Sequence, residues 1–165
     1  STNNQSISER IKHLFEQDQQ ARAVPYKDID FSGDALRFSE ANKIYEEYRP
    51  FSDFSVDDLY MLAMIFQHGP DIADSKRAME LGELAGERGS KKGKWLAAAA
   101  EDRYLTRMNE KQKWGTQSIK QEGGEWAQSP MQTDEESGIT DEMRVERDVP
   151  VRDHQLAVFL SKQSN

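Results

Sequence analysis

One acidic residue, Asp102, lies in the middle of an apolar stripe on a helix that the sequence predicts for residues 94–105. The stripe follows helical spacing, at positions i, i+3, i+7 and i+10, and consists of Trp95, Ala98, Asp102 and Leu105. Burying a carboxylate in such a stripe costs free energy unless a suitable partner pairs with it. The identity of that partner, and whether the pair is structural or chemical, is the main question that the sequence raises.

Composition favours one domain with a strongly solvated helical surface. The chain has 165 residues, enough for one domain with a real core, and 32% of them are charged, with a net charge of −8. The mean hydropathy of −0.89 is low for a compact fold. The acidic balance argues against nucleic acid as a partner, because phosphate backbones bind to a concentrated basic face.

Cysteine is absent, which excludes disulfides, thiolate nucleophiles and cysteine-based zinc sites. The longest apolar run, residues 59–66, falls far short of a membrane span. No signal peptide is visible, and the chain begins at Ser1 without Met. A cytoplasmic location and secretion after removal of an upstream segment therefore both stay open, as does the oligomeric state.

Five helices are predicted within residues 6–108, because apolar residues recur at helical spacing and Pro, Gly and capping residues separate the segments. The first helix is predicted from Ser6 or Ser8 to a point before Pro25, the second from Asp34 to Tyr48, and the third from its cap Ser55 to the break at residues 67–70. The fourth is predicted from Ile72 to Arg88, and the fifth from after Ser90 to about Met108. Ser55 with Asp58 forms a capping-box pattern at the start of the third helix.

Helices four and five are expected to pack antiparallel, because only a short loop joins them. Small residues dominate their expected contact: Ala78, Gly82 and Ala85 on one helix, and Ala97 to Ala100 on the other. The pair is similar to a tetratricopeptide or Sel1-like unit, although only one such pair is clear and no repeat of fixed period occurs. We therefore predict a mainly α fold, an antiparallel helix-hairpin stack.

The composition changes after Gln117. A small β-hairpin is expected from residues 118–122 and 125–129 around the Gly123-Gly124 turn, followed by a loop over residues 130–139. Short helices follow from Asp141 to about Arg147 and from Arg152 to Ser161. The predicted domain is the whole chain, 1–165, with the helical stack in 6–108 and the polar loop, hairpin and C-terminal helices in 109–165.

His68 is the histidine of interest, since His13 and His154 are expected at solvated positions. It comes at the C-terminal end of an apolar helix, where the helix dipole favours the imidazolium form and burial opposes it. A helix-capping role and an acid–base role are equally compatible with this position.

Two pairs of an acid and an arginine are further candidates for a site that includes His68. Asp18 continues the apolar stripe of the first helix, and Arg22 lies one turn further on. Asp102 and Arg103 point in different directions on one helix, so they need not pair with each other. One reading is a buried structural network, with Asp102 bound to Arg22 and Arg103 to Asp18; the other is a polar pocket between helices one, three and five.

The tripeptide Gly115-Thr116-Gln117 begins the irregular region after helix five. The amide of Gln117 can donate and accept together, which suits it to fixing a ligand amide or carboxylate or to holding the loop. Phosphate loops, dinucleotide fingerprints, nucleophile elbows and zinc-binding His-Glu-x-x-His motifs are all missing, so neither a cofactor nor a metal ion is expected.

Four short motifs occur in order along the chain: Asp18-Gln19-Gln20-Ala21-Arg22, Gln67-His68-Gly69, Asp102-Arg103 and Gly115-Thr116-Gln117. Their order resembles an uncharacterised, mainly bacterial family of helical proteins, a domain of unknown function. Gly124-x-Trp126, Pro130, Ile139 to Glu142, Arg144 and Val149-Pro150 also fit, so the resemblance covers most of the chain from the first helix to Pro150. It implies no settled activity, only that one set of residues belongs together: Asp18, Arg22, His68, Asp102, Arg103 and Gln117.

The first functional hypothesis is a site for a small polar or anionic ligand, with acid–base catalysis as an extension. His68 would be the general acid or base, and Asp102 would orient it or act as a second acid. Arg22 and Arg103 would hold an anionic group. Asp18, Thr116 and Gln117 complete the expected ligand-binding set.

The second hypothesis is a peptide or protein interaction module in which the polar residues only lock the helices together. Exposed Trp and Tyr on a concave face would favour it, whereas a closed polar pocket would favour the ligand site. The ligand-site hypothesis further predicts that His68, Asp102 and Gln117 lie within hydrogen-bonding or one-water distance of one another.

Overall fold

The computed structural model describes the backbone of residues 6–163 and the side chains of residues 6–161. Its helices are α1 Ile7–Ala21, α2 Asp34–Tyr48, α3 Val56–Gln67, α4 Ile72–Glu87, α5 Lys91–Arg107, α6 Asp134–Ser137, α7 Asp141–Glu146 and α8 Arg152–Gln163. A 3-10 turn covers Tyr26–Asp28, and the strands are β1 Ser118–Lys120 and β2 Trp126–Gln128. The mainly helical class and the antiparallel hairpin stack are confirmed.

Polar caps explain where the helices begin. Ser55 accepts a hydrogen bond from the Asp58 amide at 3.1 Å while the Asp58 carboxylate accepts one from the Ser55 amide, so the predicted capping box is present. Ser90 caps α5 in the same way through the Gly93 amide, at 2.9 Å. In the described part of the chain, no helix is both long and apolar enough to cross a membrane.

Two groups of buried apolar residues hold these elements together. The larger core lies between α1, α2, α3, α4 and α5 and includes Ile11, Ile44, Leu62, Phe66, Leu81 and Leu96. The smaller core joins α5 to the segment that follows it and consists of Ala98, Trp114, Ile139 and Val149. Helix α5 therefore contributes to both cores and lies between the stack and the C-terminal segment.

Glycine and alanine let α4 and α5 approach closely. A Cβ built on Gly82 would lie 3.0 Å from the Ala97 nitrogen, and one built on Gly93 would lie 2.7 Å from the Ala85 Cβ. The close antiparallel contact agrees with the prediction from small residues. The expected place of Ala98 was wrong: it lies in the smaller core with Trp114, because consecutive helix residues point about 100° apart.

The C-terminal segment contains the predicted hairpin and one helix that was not predicted. Strands β1 and β2 pair antiparallel, with Ile119 opposite Ala127. The one-turn helix α6 lies within the range predicted as loop, and Thr133 caps it in a capping box with Glu136. The sequence shows this capping pattern as Thr-x-x-Glu, but the residues that follow it lack the apolar periodicity from which a helix is predicted.

Arg144 is fully buried and organises the turn region around α6 and α7. Its guanidinium donates to Asp134 at 2.5 Å and to Asp141 at 2.8 Å. Arg152 donates to the same Asp134 carboxylate at 2.9 Å. These ion pairs hold the start of α8 near α6 and α7, at a place where the chain has few apolar residues.

We expect Gly93→Ala to destabilise the protein by roughly 1–3 kcal/mol, because the new methyl group overpacks the contact with Ala85 and forces α4 and α5 apart. Urea-induced unfolding followed by circular dichroism measures the change. The matched control is Gly123→Ala in the hairpin turn, where an added Cβ meets nothing within 4 Å. Equal unfolding midpoints for both variants would contradict the close packing.

Candidate functional site

The C-terminal ends of α1, α3 and α5 meet on one side of the stack. Arg103 on α5 donates a hydrogen bond to the backbone oxygen of Gln67, the last residue of α3. Arg107, one turn further, donates to the Gly69 oxygen at 2.6 Å. These contacts confirm that α3 and α5 end on the same side, and His68 lies at this junction.

His68 is paired with Asp18 at the end of α1. Its Nδ1 lies 2.7 Å from Oδ2 of Asp18, whose side chain is fully buried, while the His68 side chain is 24% exposed. A carboxylate in this position accepts the Nδ1 proton and leaves Nε2 as the free nitrogen of the ring. Within residues 6–163, the contact with Asp18 is the one hydrogen bond that the ring makes.

Arg22 binds the same carboxylate from one turn away. Its Nη1 donates to Oδ1 of Asp18 at 2.7 Å, as the spacing of the two residues on α1 predicted. The guanidinium also binds Asp34, with Nη2 at 2.9 Å from Oδ2, and Arg37 donates to Asp34 as well. Asp18 therefore receives its two strong partners, Arg22 and His68, from α1 and from the end of α3.

Asp34 is a site residue that sequence reasoning missed. It was recognised only as the start of a helix, although its i,i+3 spacing with Arg37 was a readable signal for an ion pair. Burial acts to raise the pKa of the Asp34 carboxyl, but hydrogen bonds from Arg22 and Arg37 outweigh it, so this pKa lies below its ordinary value. Asp34 is therefore the counter-ion that fixes both arginines.

Arg103 has a different environment. Its Nε donates to Oε1 of Gln117 at 3.1 Å, and another nitrogen donates to the Gln67 carbonyl, yet no carboxylate in the described residues 6–163 forms an ion pair with it. Burial and the charges of Arg107 and Arg22 lower the pKa of this guanidinium to about 10. The expected pairing of Arg103 with Asp18 was wrong, because Arg22 and His68 occupy both oxygens of that carboxylate.

One arginine of this junction has no paired carboxylate. Asp18 and Asp34 form ion pairs with Arg22 and Arg37, and Asp71 and Asp74 interact with Arg107, whereas Arg103 forms no ion pair among the described residues 6–163. The chain as a whole carries a net charge of −8. An unpaired, partly buried guanidinium in an acidic protein is a feature of anion-binding sites.

Asp102 has no arginine partner, so the expectation that it binds one was wrong. Its carboxylate is fully buried and accepts four hydrogen bonds from the chain just after α5. Oδ1 accepts from the amides of Lys113 at 2.8 Å and Trp114 at 2.9 Å; Oδ2 accepts from the Thr116 amide at 3.0 Å and hydroxyl at 2.7 Å. Burial raises the pKa of the Asp102 carboxyl against the effect of these donors.

His68 therefore has Asp18 as its carboxylate partner, in place of the expected Asp102. The four acceptor positions of Asp102 are filled by donors that are closer along the chain. Asp102 acts as an anchor that folds residues 113–116 back onto α5. In the described residues, no hydrogen bond joins Asp102 to His68.

Gln117 joins the anchor to the arginine cluster. Its Nε2 donates to the Thr116 hydroxyl at 3.1 Å, and that hydroxyl in turn donates to Asp102, while Oε1 accepts from Arg103. Of the three residues expected to converge, Gln117 and Asp102 are thus linked through Thr116. Within the described residues, no hydrogen bond joins His68 to either of them; Arg103, which binds Gln117, donates to the carbonyl of the neighbouring Gln67.

Gln112 is a second residue whose role sequence reasoning missed. It is fully buried, and its Nε2 donates to the Gln117 and Ser129 carbonyls, both at 2.9 Å. Its Oε1 accepts from the Gln117 amide at 2.9 Å, so one side chain fixes the backbone on both sides of the hairpin base. The only signal in the sequence was its place just before the Trp-Gly-Thr-Gln motif.

A cavity of about 290 Å³ lies beside Gln117, between α5, the hairpin and α8. Trp95 and Trp126 contribute indole rings to its wall, Phe159 contributes a phenyl ring, and Thr116 and Gln117 contribute polar groups. The cavity wall thus combines three aromatic rings with polar groups, and one of its polar residues, Gln117, also binds Arg103.

The described residues 6–163 contain no group of three His, Asp or Glu side chains that could hold a metal ion. Comparisons with protein-family models, with curated proteins and with solved structures give no match. The junction itself offers imidazole, guanidinium, carboxylate and amide groups.

We expect Asp102→Asn to cost about 3 kcal/mol or more of unfolding free energy, since an amide NH2 would face donors that a carboxylate oxygen now satisfies. Chemical denaturation monitored by tryptophan fluorescence measures this loss, because Trp114 lies in the anchored loop. The exposed Asp53→Asn provides the control for removing one acidic group. A variant as stable as the control would show that the anchor contributes little.

Acid should weaken the Asp34 ion pairs. The pKa of Asp34 is lower in the folded than in the unfolded chain, so its stabilising effect is complete above the unfolded pKa and is lost as pH falls through the folded pKa. We expect Asp34→Asn to be less stable than wild type at pH 7 and to show a shallower fall of unfolding free energy below about pH 4. Parallel acid slopes for the two proteins would contradict this assignment.

Proposed function

We propose that the protein binds a small anionic ligand where α1, α3 and α5 end, with His68 as the residue that accepts or donates a proton. The observation that carries this proposal is the pairing of a buried Asp18 with a partly exposed His68 at a junction where Arg103 has no carboxylate partner. The ligand class is small and anionic, with phosphate and carboxylate groups as the shared chemistry.

Arg103 supports the anion in this proposal. It is held in place by Gln117 and the Gln67 carbonyl, both neutral acceptors, so its positive charge has no counter-ion in the described chain. A partly buried guanidinium without a carboxylate interacts strongly with an anion, because the local dielectric constant is lower than that of water. Arg22 adds charge nearby, although Asp18 and Asp34 compensate it.

His68 supplies the acid–base chemistry. Asp18 fixes the ring and its tautomer and would stabilise the imidazolium that forms when Nε2 takes a proton. The proton would come from a ligand hydroxyl or from a water molecule, and the reverse transfer returns it to a leaving group. In this scheme Asp18 takes the orienting role that the sequence had suggested for Asp102.

An interaction module remains the second candidate function. One observation favours it: Tyr26 is 71% exposed, and aromatic side chains are enriched in protein interfaces. In that version Arg103 and Arg107 serve only to satisfy the last carbonyl groups of α3, a structural role that also fits their contacts. The two functions differ in whether the junction binds a small anion.

Phosphate binding tests the proposal. We expect inorganic phosphate, compared with chloride at equal ionic strength, to raise the melting temperature of the wild-type protein by about 5 °C at a concentration near one hundred times Kd. Calorimetric titration then gives Kd. Arg103→Lys keeps the charge but loses the planar fork, and we expect it to bind phosphate at least tenfold more weakly.

Two controls separate the site from general charge effects. Arg147→Lys alters another partly buried arginine that binds Glu83 on a different part of the surface, and it should bind phosphate as wild type does. His68→Gln removes the imidazole of the junction and should weaken phosphate binding, whereas its control, His154→Gln, alters an exposed histidine and should not. If phosphate and chloride give equal melting temperatures for wild type, anion binding at the junction is refuted and the interaction module becomes the better account.

A further inference from the structure

Aromatic side chains extend from the charged junction to the hairpin. The Arg22 guanidinium lies 5.9 Å from the centre of the Phe31 ring. The Phe31 and Tyr26 rings are 6.4 Å apart, and Tyr26 in turn lies 6.4 Å from Trp126 on β2. Arg22, Tyr26 and Phe31 lie within residues 22–31, whereas Trp126 is distant in the sequence, so the fold brings these two segments together.

These aromatic rings are accessible to solvent in spite of their mutual contacts. Phe31 is 50% exposed, Tyr26 71% and Trp126 39%. Exposing three large aromatic side chains next to one another is unfavourable, because each leaves apolar area in contact with water. A surface of this kind beside a charged junction is a feature of sites that bind ligands with both an apolar and a charged part.

Trp126 and Gln117 connect this aromatic surface to the site in a second way. Both line the cavity of about 290 Å³, together with the indole of Trp95. That volume exceeds the roughly 150 Å³ cavity that holds benzene in an engineered protein core. A single planar ring therefore fits within it, and indole faces are well suited to stacking against such a ring.

Gln117 also sets the distance between the cavity and the positive charge. Its side chain lines the cavity and accepts the hydrogen bond from Nε of Arg103 at 3.1 Å. Arg103 does not itself line the cavity, so a ring inside the cavity and an anionic group on Arg103 would be separated by Gln117. That separation matches a compact ligand in which the charged group is attached to the ring directly or through a short linker.

We propose that the ligand of this site carries a planar aromatic ring together with its anionic group, the ring lying against Trp126 in the cavity and the anion beside Arg103. The proposal rests on the anion site proposed above and adds the chemical class of the ligand. An aliphatic acid would also place a charge near Arg103, but its chain would not stack on the indole faces that line the cavity.

Three phosphates of increasing apolar character test this inference by calorimetric titration at constant ionic strength. The probes are inorganic phosphate, methyl phosphate and phenyl phosphate. We expect wild type to bind phenyl phosphate at least tenfold more tightly than methyl phosphate, since stacking on one aromatic side chain typically changes affinity by this order. Methyl phosphate controls for the ester bond and the loss of one ionisable oxygen.

Variants at Trp126 test whether the preference for phenyl phosphate comes from contact of its ring with this side chain. Trp126→Leu should bring the ratio of the phenyl to the methyl phosphate affinities close to one while inorganic phosphate still binds as in wild type. Trp126→Phe keeps a flat ring and should retain most of the ratio. Unchanged binding of inorganic phosphate also shows that the hairpin variants preserve the folded junction.

The outcomes are separable. Equal affinities of wild type for methyl and phenyl phosphate would overturn the aromatic ligand class while leaving the anion site intact. A tenfold preference that persists in Trp126→Leu would overturn the placement of the ring. If none of the three phosphates binds, the anion site and the inference that rests on it both fail.

Discussion

The fold depends on a carboxylate that is buried inside the protein and has to be surrounded by donors. Asp102 meets this requirement with three backbone amides and one hydroxyl from residues 113–116. Hydrogen bonds to a charged acceptor are among the stronger ones in proteins, and a buried acceptor left without them would be costly. The chain after α5 is therefore forced to turn back onto the helix that it has just left.

The segment directly beyond this turn takes its position from it. Gln117 comes directly after the anchored residues, so its amide reaches Arg103, and Gln112 fixes the same backbone from the other side. The hairpin begins at the next residue, Ser118, and its second strand carries Trp126. The buried Asp102 thus helps to position both the Gln117 amide and the Trp126 ring relative to the junction at the end of α3.

Asp18 and Asp102 show how two similar signals in the sequence lead to different roles. Both are acids on apolar helix stripes, and both are fully buried. Asp102 is satisfied by three backbone amides and the Thr116 hydroxyl, and it forms no ion pair among the described residues. Asp18 is satisfied by the side chains of Arg22 and His68, and both of these are partly exposed, so the buried carboxylate is in contact with groups that solvent can reach.

The sequence predicted what depends on local spacing. The bounds of α2, the capping box of Ser55 and the pairing of Asp18 with Arg22 all involve residues within a turn or a helix length. It did not predict the partner of Asp102, because every residue except proline offers a backbone amide and these donors leave no pattern in the sequence. Asp34 was missed for a related reason, since Arg22 lies 12 positions away across an irregular segment.

The division of the apolar residues into two unequal cores has a consequence for motion. The smaller core has few members, and one of them, Ala98, belongs to α5, so little apolar area holds the C-terminal segment in place. Segments with little buried area open at lower free energy than the whole protein unfolds, and their amide hydrogens exchange with solvent through such openings. The hydrogen bonds of Asp102, together with the ion pair of Arg147 with Glu83, then contribute to the free energy at which residues after α5 detach while α1 to α4 stay packed.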